Sequence, residues 1–373
     1  MSYVERKELF KKMEELRNRP LIAYVTSIRP NMSVQMASDA INYIIEQIQS
    51  IPADQDEVDF LIISNGGDPI TAIRIIDLLR ERFKKISVLT PYVAYSAATI
   101  LALGADEIIM HPYSNLGPVD PQLTIAKQSD NGHPSKLNFG AEDIRNYVEF
   151  VKKDVGITDQ EHLTVAFNAL AKEVGPLPIG SAKRGQQLSL SASIKMLETH
   201  MEDKNKAATI AQALNTSYYH HGYAVGRSEA EHIGLNIVKP DSDVENLMWA
   251  IWKDFSAEMQ CDSEFNVVAE IMKNPEAAAF LNTVPVINVP ANISSQLAQN
   301  LIAQLAQQNA KITTLKPILV EALVASIEST RIETSLRQKF NIAYWREANM
   351  SLGFNVTAFS EGWKTIKGND INE

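Results

Sequence analysis

Two short loops hold the residues whose types and spacing suit covalent chemistry. The first is Ser64-Asn65-Gly66-Gly67-Asp68, directly after the apolar run 58–64. Paired glycines let a backbone turn sharply and present unshielded N–H groups, as an anion or oxyanion requires. A plain strand-to-helix turn is the competing reading, because glycine marks turns generally. The second is Ala94-Tyr95-Ser96-Ala97-Ala98-Thr99. A serine at the start of a helix is favoured as an N-cap. Capping, however, needs no small residues on both sides, whereas Ala94, Ala97 and Ala98 leave open space over Ser96 for an approaching substrate. The helix dipole would favour negative charge developing there. The loop is not the GxSxG elbow of the α/β-hydrolases. Gly67 and Ser96 lie 29 positions apart, each after a strand.

The elements that must position these loops read as an α/β layer fold. The charged N-terminal stretch has a helical pattern and ends near Pro20. LIAYVT (21–26) is a short continuous apolar run, as a buried parallel strand requires. Residues 33–51 carry Met36, Ala40, Ile41, Ile44, Ile45 and Ile48 at helical spacing. Residues 58–64 predict a second strand, 70–83 a helix, 86–93 a strand, 96–105 a short helix and 106–112 a fourth strand. This alternation predicts a largely parallel sheet with helical layers. Ligands of such sheets bind at the carboxyl ends of the strands, where both loops fall. Helices dominate from 141, over 141–156, 161–175 and 190–214. Composition shifts after Asn274-Pro275. VPVINVPANISSQ (284–296) reads as a strand and turn, and 296–312 as a Gln- and Ala-rich helix. Two parts are expected, a core over 1–265 and a C-terminal extension over 266–373.

Composition narrows the partners. The 373 residues include 35 Lys plus Arg and 45 Asp plus Glu, a net charge of −10. That balance argues against a broad nucleic-acid footprint and against anchoring on anionic lipid. A single cysteine, Cys261, excludes a disulfide framework within the chain. Neither HExxH nor GxGxxG occurs, so no metal or dinucleotide cofactor is expected. Residues 86–105 form a 20-residue uncharged run, the length of a membrane span. Pro91 and four hydroxyl residues interrupt it, and strand, turn and helix account for it better. The N-terminus lacks the apolar region of a secretory signal, so a cytoplasmic location is expected.

The stretch ISNGGDPITAIRIIDLLRERFKKISVLTPYVAYSAATILALGADEIIMHPYSNLGPVDPQ resembles the serine dehydrogenase proteinase family. That family belongs to the Clp protease/crotonase superfamily, alongside signal peptide peptidase A. Weaker matches follow at LSASIKMLETHM (190–201) and GYAVGRSEAEHIGLNIV (222–238), so the resemblance covers about 20–260. It implies a serine peptidase with Ser96 as nucleophile and the Gly67 and Ala97 N–H groups as oxyanion donors. Gly66 and Asp68 would border the substrate, although Asp68 reads more simply as a helix cap.

The general base is where the chain departs from its relatives. A serine needs one to act at neutral pH. Val119 falls near the place of the Clp histidine, so a Clp-type triad is not expected. His111 ends a strand and reads as structural. His220 and His221 read as a helix-end surface. Signal peptide peptidases use a Ser-Lys dyad, with burial lowering the lysine pKa. Two lysines fit that pattern. Lys183, in PIGSAKRGQQLSLS, is read as preceding a helix, and Lys136 lies 40 residues after Ser96. Each also reads as an ordinary solvated lysine. The resemblance implies a peptide or protein substrate and self-assembly, with 141–215 and the C-terminal region as interfaces. Two rivals remain: a non-catalytic assembly or binding module on the same fold, and a crotonase-type acyl-CoA enzyme.

Overall fold

The structure, a computed structural model, describes residues 3–367 except 129–133, 217, 219, 221, 283–289, 291, 310–314 and 347–350. His221 and most of the strand expected over 284–296 therefore lie outside the described residues.

In chain order the first elements are α1 (Tyr3–Arg17), β1 (Leu21–Thr26), α2 (Ile41–Gln49), β2 (Glu57–Ile63), α3 (Pro69–Arg82) and β3 (Lys85–Thr90). β4 (Val93–Ala94), α4 (Ala97–Leu103), β5 (Glu107–Met110) and β6 (Asn115–Leu116) follow. A hairpin of β7 (Gln122–Gln128) and β8 (Pro134–Gly140) leads into α5 (Ala141–Lys153), α6 (Gln160–Val174), α7 (Pro176–Glu198) and α8 (Lys204–Thr216). Then come β9 (Val225–Gly226), α9 (Arg227–His232), β10 (Ile237–Val238) and α10 (Ser242–Met259). The last elements are α11 (Val267–Lys273), α12 (Pro275–Asn282), α13 (Ser295–Asn309), β11 (Ile318–Glu328), β12 (Ile332–Arg346) and β13 (Leu352–Lys367).

Eight strands form the main sheet in the order β10-β5-β3-β2-β1-β11-β12-β13. The five from β10 to β1 run parallel, as the apolar runs predict. Both faces of these strands are covered. Ile22, Tyr24, Val58, Phe60 and Ile62 point to one core with α2, α3 and α4, while Leu21, Ala23, Val25, Leu61 and Ile63 point to another with α1 and α10. Period-2 alternation is thus present in space but hidden in the sequence, because both sides are apolar. A small second sheet, β4-β6-β9, stands at the carboxyl ends.

Two expectations need correction, and the reading of residues 86–105 holds. The helix expected over 33–51 starts only at Ile41, because Met36 is extended and forms a bridge with Gly67. The helix expected from 190 starts instead at Pro176, so Lys183 lies inside it rather than before it. Proline at the first helical turn loses no needed N–H. The uncharged run 86–105 divides into strand, turn and helix, and no described helix is long and apolar enough to cross a membrane.

The C-terminal strands are part of the main sheet. β11 pairs antiparallel with β1, Ala23 opposite Glu328 and Thr26 opposite Ala325. A buried guanidinium ties this addition to the core. Arg6 on α1 grips Glu328 with two hydrogen bonds of 2.7 Å each, and it also reaches Asp254 and Glu258 on α10. Its planar fork donates to three carboxylates that burial would otherwise penalise. Glu333 on β12 sits beside this cluster, and burial together with the Glu328 charge raises its carboxyl to about 7.

A raised carboxylate pKa stabilises the fold below the unfolded value near 4.5, and that contribution is lost as pH rises through about 7. Glu333→Gln should therefore melt close to wild type at pH 5 and above it at pH 8. Melting curves of the two proteins that stay parallel across this range would contradict the assignment.

Candidate functional site

The site is built where β2 ends. Ser64 continues β2 by one residue and is bridged to Ala94, its N–H donating to the Val93 carbonyl at 3.0 Å and its carbonyl accepting the Tyr95 N–H at 2.9 Å. On the other side, the Met36 N–H donates to the Gly66 carbonyl at 2.8 Å, and the Asp68 N–H donates to the Met36 carbonyl at 2.9 Å. These bonds turn the Gly67 N–H away from Met36, by the alternation of a ladder. Among the described residues, neither the Gly67 N–H nor the Ala97 N–H donates a hydrogen bond.

Both glycines are required sterically. Gly66 has φ +96°, and a Cβ there would lie 2.5 Å from the Tyr95 carbonyl oxygen, 2.8 Å from Ser96 Cβ and 2.9 Å from Ala97 N. Gly67 has φ +151°, and its Cβ would lie 2.2 Å from the Met36 carbonyl oxygen. Bare backbone at Gly66 is what lets the two loops meet.

Ser96 has φ +52° and ψ −117°, a conformation that L-residues avoid. Its side chain makes no capping hydrogen bond, so the N-cap reading does not describe its hydroxyl. The conformation is held from both directions. Tyr95 is pinned to Ser64, and its ring lies over Gly117, where a Cβ would meet Tyr95 Cδ1 at 2.7 Å. Behind Ser96, buried Thr99 places its hydroxyl 2.7 Å from the Ala94 carbonyl and 2.9 Å from the Gly117 carbonyl, and it accepts the Gly117 N–H at 3.0 Å. The turn, its helix and the 115–117 segment thus move as one piece.

The other candidates stand as follows. Asp68 caps α3, accepting the Ile70 and Thr71 N–H groups, which commits both carboxylate oxygens to the helix. Lys136 is exposed on β8, opposite Ala126. Lys183 is exposed on α7, 3.3 Å from Gln186. Neither lysine has the burial that a neutral amine needs. The elements that carry them nevertheless adjoin the segment leading from Gly117. α7 touches it at Gly185, where a Cβ would meet Pro121, and at Ser189, whose hydroxyl donates to the Val119 carbonyl. The β7–β8 hairpin begins just after it. His111 is buried and stacked on Trp249 at 5.0 Å, Nδ1 accepts the Tyr113 N–H, and burial lowers its pKa. It is therefore a neutral packing residue.

Missed by the sequence reading were Met36, Thr99 and Gly117. Thr99, three residues after Ser96, reads as an ordinary helix residue, and only the fold shows that it bonds backward.

Residues 4–130 match the family of ClpP-like SDH-type serine proteinases. The resemblance read from residues 58–122 holds, and the match ends before Lys136 and Lys183. Two uncharacterised proteins of Methanocaldococcus jannaschii are 39% and 38% identical to this chain over 80 residues, 21% of its length. The chain spans about a quarter of these curated relatives, 28% and 27% of their lengths. Among solved structures, the 1510-N membrane-bound stomatin-specific protease with a substrate peptide is 17% identical, covers 60% of this chain and 77% of its own, and gives a TM-score of 0.34. ClpP1 from Listeria monocytogenes is 12% identical, with coverages of 63% and 99% and a TM-score of 0.31.

The strained turn gives two substitutions of opposite sign. Ser96→Gly relieves a backbone cost of about 1–3 kcal/mol. It adds about 0.5–1 kcal/mol of unfolded-chain entropy, so stability should rise. Gly66→Ala should lower it by about 2 kcal/mol or more, since overlap adds to backbone strain. Urea unfolding measures both, and a Ser96→Gly protein no more stable than wild type would show that the turn stores no strain.

Proposed function

We propose that this protein is a serine peptidase in which Ser96 attacks a peptide carbonyl. The observation that carries this reading is Ser96 itself: strained, free of any capping role, and held against Gly66 beside two uncommitted N–H groups. A strained serine with a structural task would bond locally through its hydroxyl, and the half-buried Ser96 does not cap its helix. The family match over residues 4–130 supports the same reaction class.

In this reading the Ser96 hydroxyl gives its proton to a base as its oxygen bonds to the substrate carbon. The carbonyl oxygen becomes an oxyanion facing the Gly67 and Ala97 N–H groups, where the α4 dipole adds to the stabilisation. The base returns the proton to the leaving amine. Water then attacks the acyl-serine, and its proton takes the same route. The base is a lysine, Lys183 on α7 or Lys136 on β8. The exposure of both means that a bound peptide or a second copy of the chain must cover the amine to keep it neutral. The substrate is a peptide or protein, and the chain assembles with itself, placing the reaction away from bulk water.

A non-catalytic assembly module on the same fold is the second reading, and the exposure of both lysines favours it. Fluorophosphonate labelling separates the two. The peptidase reading expects covalent modification at Ser96, abolished in Ser96→Ala. It further expects one of Lys183→Ala and Lys136→Ala to slow labelling at least about 100-fold, the scale of general-base catalysis. Folded, assembled protein that does not label, and a Ser96→Ala variant that assembles normally, would favour the module.

A further inference from the structure

Ser64 occupies the point where the two loops join. Its backbone holds Val93 and Tyr95, and its side chain holds the glycine loop. The Gly66 N–H donates to Ser64 Oγ at 3.0 Å, and the Thr26 hydroxyl donates to the same oxygen at 2.7 Å. Ser64 is fully buried, and Thr26 is 1% exposed. A hydroxyl oxygen accepts at most two such bonds, so Ser64 Oγ is saturated as an acceptor.

The Gly66 N–H fixes the orientation of the peptide plane entering Gly66. Two glycines in succession have no side chain to restrict their dihedrals. The Gly67 N–H is therefore aimed by what its neighbours bond. On one side Met36 holds the Gly66 carbonyl and the Asp68 N–H. On the other, Ser64 Oγ is the side-chain anchor of the loop.

We propose that Ser64 is a positioning residue for acylation of Ser96, its hydroxyl aiming the Gly67 N–H through Gly66 while Thr26 holds that hydroxyl in place. This rests on the peptidase reading. Ser64 touches no reacting atom. It acts on the oxyanion donor, whose direction decides how much charge it stabilises.

The test measures the second-order rate of fluorophosphonate labelling at Ser96, in which an oxygen–phosphorus bond forms and fluoride leaves. Ser64→Ala should slow labelling about 10–100-fold, less than the 100–1,000-fold lost when an oxyanion donor is removed outright. Ser64→Ala also leaves a buried N–H unpaired and can compromise folding, so a second pair of variants leaves Ser64 intact. Thr26→Val keeps the shape and removes the hydroxyl, and should slow labelling several-fold. Thr26→Ser restores the hydroxyl and should return the rate to within about twofold of wild type. Hydrogen exchange should also show faster exchange at Gly66 in Ser64→Ala. A folded Ser64→Ala protein labelled at the wild-type rate overturns the proposal. So does a Thr26→Ser protein as slow as Thr26→Val, which would make the effect one of shape. Wild-type protein that never labels sinks the peptidase reading itself, and this role with it.

Discussion

Contact between bare backbone at Gly66 and the turn at Ser96 governs the rest of the site. Two loops leaving neighbouring strands would normally be kept apart by their side chains. Here a missing Cβ lets a peptide plane lie within 3 Å of where that atom would be, against Tyr95, Ser96 and Ala97. The close approach demands that both loops be fixed, since small rotations would bring atoms into collision. Met36 on one side and Val93 and Tyr95 on the other supply that fixation by backbone bonds, and Ser96 adopts its unfavourable dihedrals as the remaining degree of freedom. Interiors packed at crystal-like density transmit such constraints rather than absorb them.

Much of this was legible in the residues, and the failures have physical causes. The parallel strands announced themselves as short apolar runs, and Gly-Gly and Ala-Ser-Ala-Ala marked the loops. Met36 misled because its spacing from Ala40 and Ile44 is helical, yet its backbone is claimed by Gly67, a partner 31 positions away. Side-chain periodicity records burial and does not record which backbone groups are taken. The β7–β8 hairpin escaped notice because its inward residues, Leu123, Ile125, Leu137 and Phe139, meet helices later in the chain. The lysines illustrate a different limit. Whether an amine is buried depends on what covers it, and nothing in PIGSAKRG or GHPSKLNFG specifies that.

The chain divides its work unevenly along its length. The first 130 residues, which carry the family match, provide the serine, the glycine loop and the strands beneath them. The helices and hairpin that follow have a small cluster of their own around Phe139, Val174 and Ala182. They meet the serine-bearing part along 117–121, where Gly185 and Ser189 of α7 approach, and along α3 and α4, where Ala192, Met196 and Leu197 join the main core.

The pairing of β1 with β11 also bears on how the molecule is made. β1 is made well before β11, and Arg6 waits for Glu328, 322 positions downstream. Until then β1 presents an open, fully apolar edge, the kind that pairs with whatever strand is nearby. Synthesis at about 5–20 residues per second leaves that edge uncovered for tens of seconds. The growing chain thus carries an unpaired strand edge until β11 is made, and loss of the last three strands would expose that edge again.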